Sequence, residues 1–299
     1  MKAHYPDLED GLVKMTDWYC DEIRLTHTLS RYNKQSAFSA SNATDVVRMH
    51  FGMKGNYNFS YHQLNKSFDL SGGHHNIMYS NGFDITVQNK TSEIETFGIQ
   101  FPKESFIQFT QNADDRLKRF SESVLNGKSA LLSERWGAIS TSIADVIQQI
   151  LHCRYSNELR KLFLFSKSIE LLVLAAVSYD YANSNEENFI KTRTDKEKII
   201  AARDLVNERL DSPLTLSEIA QAIGMNENKL KRGFKEDFGT TVFGYLTDQR
   251  LQLAHMYLLD TQKTSAEIAY NLGYSSPQHF SQAYKNKFGF TPNSVRNNP

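Results

Sequence analysis

The sequence of 299 residues predicts an α+β fold with a β-rich N-terminal part, a helical middle and an all-α C-terminal third. Residues 44–109 contain short apolar segments separated by turn signals, a pattern typical of a small barrel or jelly roll. From residue 114 onward, apolar residues recur at helical spacing. Near the C-terminus one pattern occurs twice, about 50 residues apart, and indicates two helix-turn-helix units joined by a helix.

Four segments of the N-terminal part have strand character, namely 46–51, 57–61, 84–87 and 93–101. The pairs Gly72-Gly73 and Asn81-Gly82 predict turns between strands. Aromatic residues are dense here, and most of them are expected to form the core. Because ligand pockets are mostly apolar, four aromatic residues are candidates for contact with a small molecule: Phe51, Phe59, Tyr61 and Tyr79.

Histidines in the same part raise the question of a metal site. The chain has no His-x-His pair, and the adjacent His74 and His75 would point to opposite faces of a strand. His50 and His62 are isolated in sequence. Ordinary surface or core histidines are therefore the favoured interpretation, and we expect neither a metal nor another cofactor.

The middle of the chain predicts one helix over 145–151 and a longer one over 158–178, with apolar residues three and four apart. These helices are a candidate dimer interface; the alternative is that they only cover the sheet. The polar stretch 182–195 indicates a linker between domains.

Each copy of the C-terminal pattern has the same components. In the first, Thr215 and Glu218 form a capping box, Gly224 allows a sharp turn, and Leu230 and Phe234 give the second helix an apolar face. The second copy has the same order: Thr264, Glu267, Gly273, Ser276-Pro277, Phe280 and Tyr284. Asn226 and Ser276 are expected to cap the second helices.

The opposite face of each second helix is polar and suits DNA. Arginine and lysine match guanine edges and phosphates, while asparagine and glutamine can bond adenine twice. A solvated face on a helical bundle is the alternative, but two matched repeats favour DNA binding. The predicted DNA-binding residues are Asn228, Lys229, Lys231, Arg232, Lys235, Gln278, His279, Gln282 and Lys285.

Over residues 196–296 the chain resembles the AraC/XylS family of bacterial transcription regulators. The resemblance includes the linker-helix residues Arg250-Leu251, Ala254 and Leu258-Leu259, and the closing stretch 288–292. It implies that the second helices enter successive major grooves, and that base-reading positions are Asn228, Lys231, Arg232, Gln278, His279 and Gln282. Gln282 stands where many members have arginine, so the preference of the second half-site stays open.

The same resemblance implies a cupin-like sensing barrel at the N-terminus, a homodimer, and activation through contact with RNA polymerase, with repression still open. The segments 51–55 and 73–79 resemble those of the branch that contains the ferric-pyochelin and yersiniabactin regulators. That second resemblance implies a siderophore or another small molecule as effector. The expected domains are a sensing barrel over 1–112, a helical dimerisation segment over 113–181, the linker, and a DNA-binding domain over 196–299.

Two other functions compete with a ligand-responsive regulator of promoter DNA. One is a cupin-type enzyme fused to a DNA-binding module, which would need metal ligands or a nucleophile with a base; Cys20 and His27 form no such pattern. The other is a constitutive DNA-binding dimer without a ligand. Saturable ligand binding to residues 1–181 would argue against it.

Composition sets further limits. The formal net charge is zero, so DNA affinity must come from local basic clusters and be sensitive to salt. The two cysteines, Cys20 and Cys153, cannot build a disulfide framework and fit a reducing cytoplasm. The first residues lack an apolar signal region, and the apolar run 171–177 is too short to cross a membrane. We therefore expect a cytoplasmic protein that does not bind membranes.

Overall fold

The fold is that of a computed structural model, which describes residues 2–4, 7–8, 11–113, 115–184, 190 and 192–297. The chain divides into two compact units, Met1–Asn185 and Glu186–Pro299. The predicted linker over 182–195 lies at this division, but residues 185–189 and 191 are outside the described residues. The helix before the linker extends to Ser184 and the next begins at Arg193, so both helices enter the range predicted as linker.

The first unit is built on one antiparallel sheet. Its strands run in the order β1-β3-β4-β9-β5-β8-β6-β7; β2 pairs with β3, and β10 and β11 pair with β8. The strands are β1 Lys2–His4, β2 Asp7–Leu8, β3 Gly11–Cys20, β4 Ile23–Tyr32, β5 Ala37–Lys54, β6 Asn56–Tyr61, β7 Lys66–Ser71, β8 His74–Asn89, β9 Glu93–Pro102, β10 Ala130–Leu131 and β11 Gly137–Ala138. A short 3-10 turn, His62–Leu64, joins β6 to β7.

In the residues that the structure describes, this unit also has four helices: α1 Lys103–Thr110, α2 Asp115–Leu125, α3 Thr141–Leu151 and α4 Asn157–Ser184. The helices predicted over 145–151 and 158–178 are confirmed as parts of α3 and α4. Helix α1 begins at Lys103, so the prediction that residues 44–109 are β-rich is wrong for residues 103–109. Two short strands, β10 and β11, lie inside the segment predicted as purely helical.

The four predicted strands are confirmed, but the β-rich region starts much earlier than residue 44. Strands β3 and β4 precede it, and each has ten residues. Their alternation is hidden in the sequence because polar residues face inward: Asp17 is buried, accepting hydrogen bonds from both Arg24 nitrogens at 3.0 Å and from Thr26 at 2.7 Å. Because Asp17, Arg24 and Thr26 are polar, the sequence alone suggests an exposed segment where the structure has two paired strands with a buried carboxylate.

Of the two predicted turns, only Gly72-Gly73 is confirmed; it separates β7 from β8. The turn prediction for Asn81-Gly82 is wrong because both residues lie inside β8. Gly82 has a φ of +77°, and the pairing between β5 and β8 shifts register between Asn42 and Asp45, near Gly82. The glycine signal therefore marks an irregularity in a long strand and not its end.

Successive residues of β5 and β8 face two different cores. Val47, Met49 and Phe51 join a core that the helices cover, together with Ile77 and Tyr79 from β8. The second core lies on the other face and is filled from β6, β7 and β8, with Trp136 packed against it.

The prediction that His74 and His75 point to opposite faces is confirmed. The His74 ring bonds the Tyr57 hydroxyl at 3.2 Å and lies against Trp136, whereas His75 Nε2 is 3.0 Å from Ser178 Oγ on α4. Each face of this single strand therefore carries a buried imidazole.

Helix α4 extends well beyond the apolar run 171–177. Its Asn157–Tyr179 stretch is 23 residues long with a mean hydropathy of 1.7, enough by length and composition to cross a membrane. A core helix of a globular protein meets the same criteria, so one such helix is weak support for a membrane span. Leu164, Leu171, Leu172 and Ala175 of this helix are buried in the first core.

The second unit is all-helical in its described part: α5 Arg193–Glu208, α6 Leu216–Ala222, α7 Glu227–Phe238, α8 Val242–Asp260, α9 Ser265–Asn271, α10 Pro277–Phe288 and α11 Ser294–Asn297. It has two separate cores, one formed by α5, α6, α7 and the start of α8, the other by the end of α8, α9 and α10. Val242 and Leu246 belong to the first core, and Leu251, Ala254 and Leu258 to the second. The predicted linker helix is thus confirmed as α8.

The buried imidazoles make the first unit sensitive to acid. Burial lowers the pKa of His50 to about 4 and that of His75 to about 3, whereas an unfolded histidine titrates near 6.5. The unfolded state binds more protons in this window, so stability falls as the pH drops below 6.5. We expect a loss of about 2 kcal/mol per histidine at pH 4.5 relative to pH 7.5, measured by urea unfolding.

His75→Gln should reduce this pH dependence, whereas His62→Gln, a substitution at an exposed position, should leave it unchanged. Identical pH dependence in wild type and His75→Gln would contradict the assignment.

Candidate nucleic-acid interface

The first helix-turn-helix unit consists of α6 and α7. The predicted capping box is confirmed: Glu218 accepts a hydrogen bond from the Thr215 backbone at 2.7 Å, and Thr215 Oγ1 accepts one from the Glu218 backbone at 3.2 Å. Gly224 has a φ of +62° in the turn. Asn226 caps α7 by accepting from the Lys229 backbone at 2.8 Å. The local sequence signals therefore set both the start and the direction of α7.

The second helix-turn-helix unit, α9 and α10, repeats this construction. Thr264 and Glu267 form the capping box, and Ser276 caps α10 with Pro277 in its first turn. Gly273 has a φ of +74°, and a Cβ there would lie 2.1 Å from the Asp211 carbonyl oxygen. Glycine is thus required at this turn both by the backbone conformation and by the close approach of the segment after α5.

Helix α8 and Arg250 join the two repeats. Arg250 Nε donates to the Leu210 carbonyl at 2.6 Å, and its guanidinium lies 5.5 Å from the centre of the Tyr274 ring. One side chain therefore contacts both the segment after α5 and the turn of the second repeat. The sequence analysis placed Arg250 in the linker helix but did not identify these two contacts, because both partners are distant from it in sequence.

Eight of the nine predicted DNA-binding side chains are exposed on α7 and α10, on the faces opposite the two cores. Leu230, Phe234, Phe280 and Tyr284 fill those cores, as the spacing predicted. The exposed residues are Asn228, Lys231, Arg232, Lys235, Gln278, His279, Gln282 and Lys285.

Lys229 differs from the other eight. It is half-buried, and its ammonium donates to the Asp195 carboxylate at 2.5 Å; Asp195 lies in the first turn of α5 and is only 13% exposed. A charge-assisted bond to a largely buried carboxylate holds α5 against α7. In this structure Lys229 therefore positions the recognition helix instead of extending from its outer face.

The outer face of α10 contains an internal amide pair. Gln282 Nε2 donates to Asn286 Oδ1 at 2.8 Å, one helical turn further on. Asn286 is exposed and was missed by the sequence prediction, although its spacing of four residues from Gln282 was a usable signal. The pair holds the Gln282 amide in one orientation on the outer face of α10.

The four aromatic residues predicted for ligand contact do not come together. Phe51 and Tyr79 belong to the helix-covered core, whereas Phe59 and Tyr61 belong to the core on the opposite face of the sheet. Of the four, Phe59 borders a cavity of about 110 Å³. The cavity is also bordered by Arg48, which sequence reasoning missed because an arginine in a strand is usually a surface residue.

The thiol considered for nucleophilic chemistry is poorly suited to it. Cys20 is buried, and burial raises its pKa to about 11, so it stays protonated near neutral pH. His27 lies beside Glu95 instead, with Nε2 to carboxylate oxygen at 2.8 Å. In the described part of the chain no group of three or more His, Cys, Asp or Glu side chains is placed to hold a metal ion.

Two family models match the chain. The model described as a helix-turn-helix domain covers residues 219–298, and the one described as the regulatory protein PchR N-terminal domain covers 19–186, more than half of the chain. The chain belongs to the PchR-type regulators of the AraC/XylS family. Its second unit therefore carries a helix-turn-helix domain of this family, and its first unit carries the N-terminal domain.

Among curated relatives, the regulatory protein PchR of Pseudomonas aeruginosa is 39% identical over 114 residues, or 38% of each chain. The chain thus spans little more than a third of that relative's length. A solved AraC-type regulator from Chromobacterium violaceum is 32% identical, covering 36% of this chain and 95% of its own, with a TM-score of 0.33.

Apo ToxT of Vibrio cholerae is 15% identical, covering 97% of this chain and 98% of its own, with a TM-score of 0.36. Both TM-scores lie below 0.5, so family membership rests on the sequence matches.

Lys229 and Lys235 provide a matched pair for testing the two roles assigned to basic residues on α7. Lys235→Ala should weaken duplex DNA binding and lower the steepness of the log–log salt dependence by about one, as expected for one lost phosphate contact. Lys229→Ala should leave that slope unchanged and lower stability by about 1–2 kcal/mol, because the charge-assisted bond between α7 and the largely buried Asp195 is lost. Fluorescence anisotropy against salt and thermal unfolding measure the two effects, and the reverse pattern would contradict both roles.

Proposed function

We propose that this regulator is a ligand-responsive activator that binds promoter DNA as a homodimer in the cytoplasm. The observation that carries the proposal is the pair of capped second helices, α7 and α10, held by one shared helix in a chain whose other unit matches a PchR regulatory domain. In this proposal the antiparallel sheet of the first unit forms the cupin-like sensing barrel. RNA polymerase is the proposed partner in activation.

The proposed reading of DNA uses the outer faces of α7 and α10. Lys231 and Arg232 would bond guanine edges or phosphates in one groove, while Gln278 and Gln282 would bond adenine in the next. His279 and Asn228 complete the two sets. The Gln282 amide can keep the hydrogen bond that it donates to Asn286 or donate to a base instead, which favours tolerance of more than one base in the second half-site.

Control by an effector requires that the ligand bind one arrangement of the protein better than another. The PchR-type N-terminal unit supports such control, and a siderophore or another small molecule is the proposed effector class. A constitutive DNA-binding dimer is the alternative. Cys20 is buried and protonated, and His27 bonds Glu95 instead of serving it as a base. These observations give the enzyme alternative little support.

The homodimer proposal rests on an apolar stripe along the outside of α4. Leu159, Leu162, Val173 and Val177 are 65%, 65%, 55% and 42% exposed. At 100° per residue they lie within about 60° of one another around the helix. The opposite side of α4 is already buried in the first core, so a partner is needed to cover this stripe.

The regulator proposal is tested by genome-wide footprinting of wild type and an Arg232→Ala/Gln278→Ala double variant in the host. Discrete sites upstream of genes should appear with wild type and disappear with the variant, because each half-site loses a base contact worth about 1–3 kcal/mol. Transcript levels from the same genes should fall in a deletion strain if the protein activates them. Footprints that persist in the double variant would contradict the assigned reading residues.

The dimer proposal is tested by light scattering of the full chain at about 50 μM, a concentration that detects micromolar association. Wild type should have twice the chain mass of 34.3 kDa, and Leu162→Glu should be monomeric because it places a charge in the stripe. Leu125→Glu is the control: Leu125 is 61% exposed but lies on α2. A monomeric wild type, or an unaffected Leu162→Glu variant, would refute the α4 interface.

A further inference from the structure

A small cavity lies in the first unit on the face of β5 that is turned away from the helices. Its volume is about 110 Å³. Residues of β4, β5, β6, β8 and β9 border it, so it is built from the central strands and not from a loop. The bordering residues are Thr26, Arg48, Met49, His50, Phe59, Met78, Phe83, Gly98, Ile99 and Gln100.

Arg48 is the charged group at this cavity. Among the described residues no carboxylate forms an ion pair with it, and the charge of Asp45 only partly offsets the effect of burial on its pKa. The residue is only 5% exposed. Its terminal nitrogens donate to the Val46 carbonyl at 3.1 Å, the Thr44 carbonyl at 3.0 Å and the Asn42 amide oxygen at 3.2 Å. All three acceptors are neutral, so the guanidinium is held in place without being neutralised.

The Nε–H of Arg48 is buried and has no acceptor in the part of the chain that the structure describes. The neighbouring carboxylate of Asp45 accepts from the Tyr79 hydroxyl at 2.7 Å and lies 3.8 Å from the Lys103 ammonium. Burial also lowers the pKa of Arg48, as expected for a cation removed from water. A buried donor on an unpaired cation is destabilising unless an anion completes it.

The remaining walls indicate which anion fits. The guanidinium lies 4.4 Å from the centre of the Phe83 ring, and Phe59 and Met78 extend the apolar surface. Burial keeps His50 neutral, with its Nε2 2.7 Å from the Tyr57 hydroxyl. Gln100 adds an amide that can donate to a second oxygen. One cation, one amide and apolar walls suit a single negative charge on an apolar stem.

We propose that this cavity binds the carboxylate of a small organic acid, with the Arg48 Nε–H as a direct donor. The inference deepens the proposed effector control by naming the chemistry of the ligand, and it rests on that function. A dry cavity of about 150 Å³ holds benzene, so this one suits a carboxylate with a short stem. Sites that enclose drug-sized ligands measure about 300–1,000 Å³, which argues against a whole siderophore complex at this position.

The test uses full-length protein labelled with ¹⁵N and follows the side-chain Nε–H signal of Arg48, assigned by its absence in Arg48→Met. Butyrate is the probe, and butyramide, which has the same shape without the charge, is the control. Butyrate should shift this signal saturably, and butyramide should bind at least tenfold more weakly. Inorganic phosphate, a larger charge without an apolar stem, should also bind at least tenfold more weakly.

Two variants separate binding from folding. Arg48→Met should abolish the butyrate response while keeping or raising the melting temperature, because it removes a buried unpaired cation. Gly98→Ala leaves Arg48 in place and adds a methyl group at the cavity wall; a Cβ there meets just one neighbouring atom within 4 Å, the Met49 carbonyl oxygen at 3.5 Å. This variant should fold normally and bind butyrate at least threefold more weakly.

Several results would overturn the proposal: no saturable shift of the Arg48 signal, equal binding of butyramide, tighter binding of phosphate, or unchanged binding by Gly98→Ala. DNA affinity with and without butyrate is measured separately by anisotropy. Binding at Arg48 that leaves DNA affinity unchanged supports the site and contradicts effector control through it. A DNA response to another effector, with no butyrate binding, overturns the site and leaves the regulator proposal intact.

Discussion

The two-residue alternation of strands β5 and β8 is the constraint on which the first unit depends. These strands form the centre of the sheet, and each supplies side chains to a core on either face. One face is covered by helices and the other by β6, β7 and the Trp136 segment. A shift of either strand by one residue would exchange the two sets of side chains, so the long pairing between β5 and β8 fixes both cores together. The adjacent imidazoles of His74 and His75 are the clearest result of this constraint.

In the second unit, Glu186–Pro299, a single helix contributes to both cores. Helix α8 contributes to two cores in succession along its length, and it thereby holds two similar helix-turn-helix units at a fixed separation. Contacts of Arg250 and the close approach at Gly273 add a second connection between the halves. DNA reading by two helices at once requires such a fixed separation, since half-sites are spaced by the turn of the duplex.

The C-terminal unit could be predicted almost completely from the sequence because its determinants are local. Capping boxes, turn glycines and helical spacing each act within about one turn of helix, and all of them are found where the sequence placed them. The N-terminal unit was less predictable because its pairings join distant residues. The buried Asp17 concealed an early strand, and Gly82 marked an irregularity where a turn was expected.

The features of the candidate sites also differ in whether local sequence signals predict them. Exposure of eight of the predicted DNA-binding residues follows from the period of the helix, whereas the ion pair of Lys229 and the cavity beside Arg48 depend on neighbours far away in the sequence.

Separate cores for the two DNA-binding repeats have a consequence for how such a regulator changes over generations. Substitutions on the outer face of α10 do not touch the core that supports α7, and the reverse is also true. Under the proposed reading of DNA, one half of the recognised sequence can therefore change while the other half still binds the protein. New target sites would then be acquired in small steps, each through a protein that still folds and still binds part of its site.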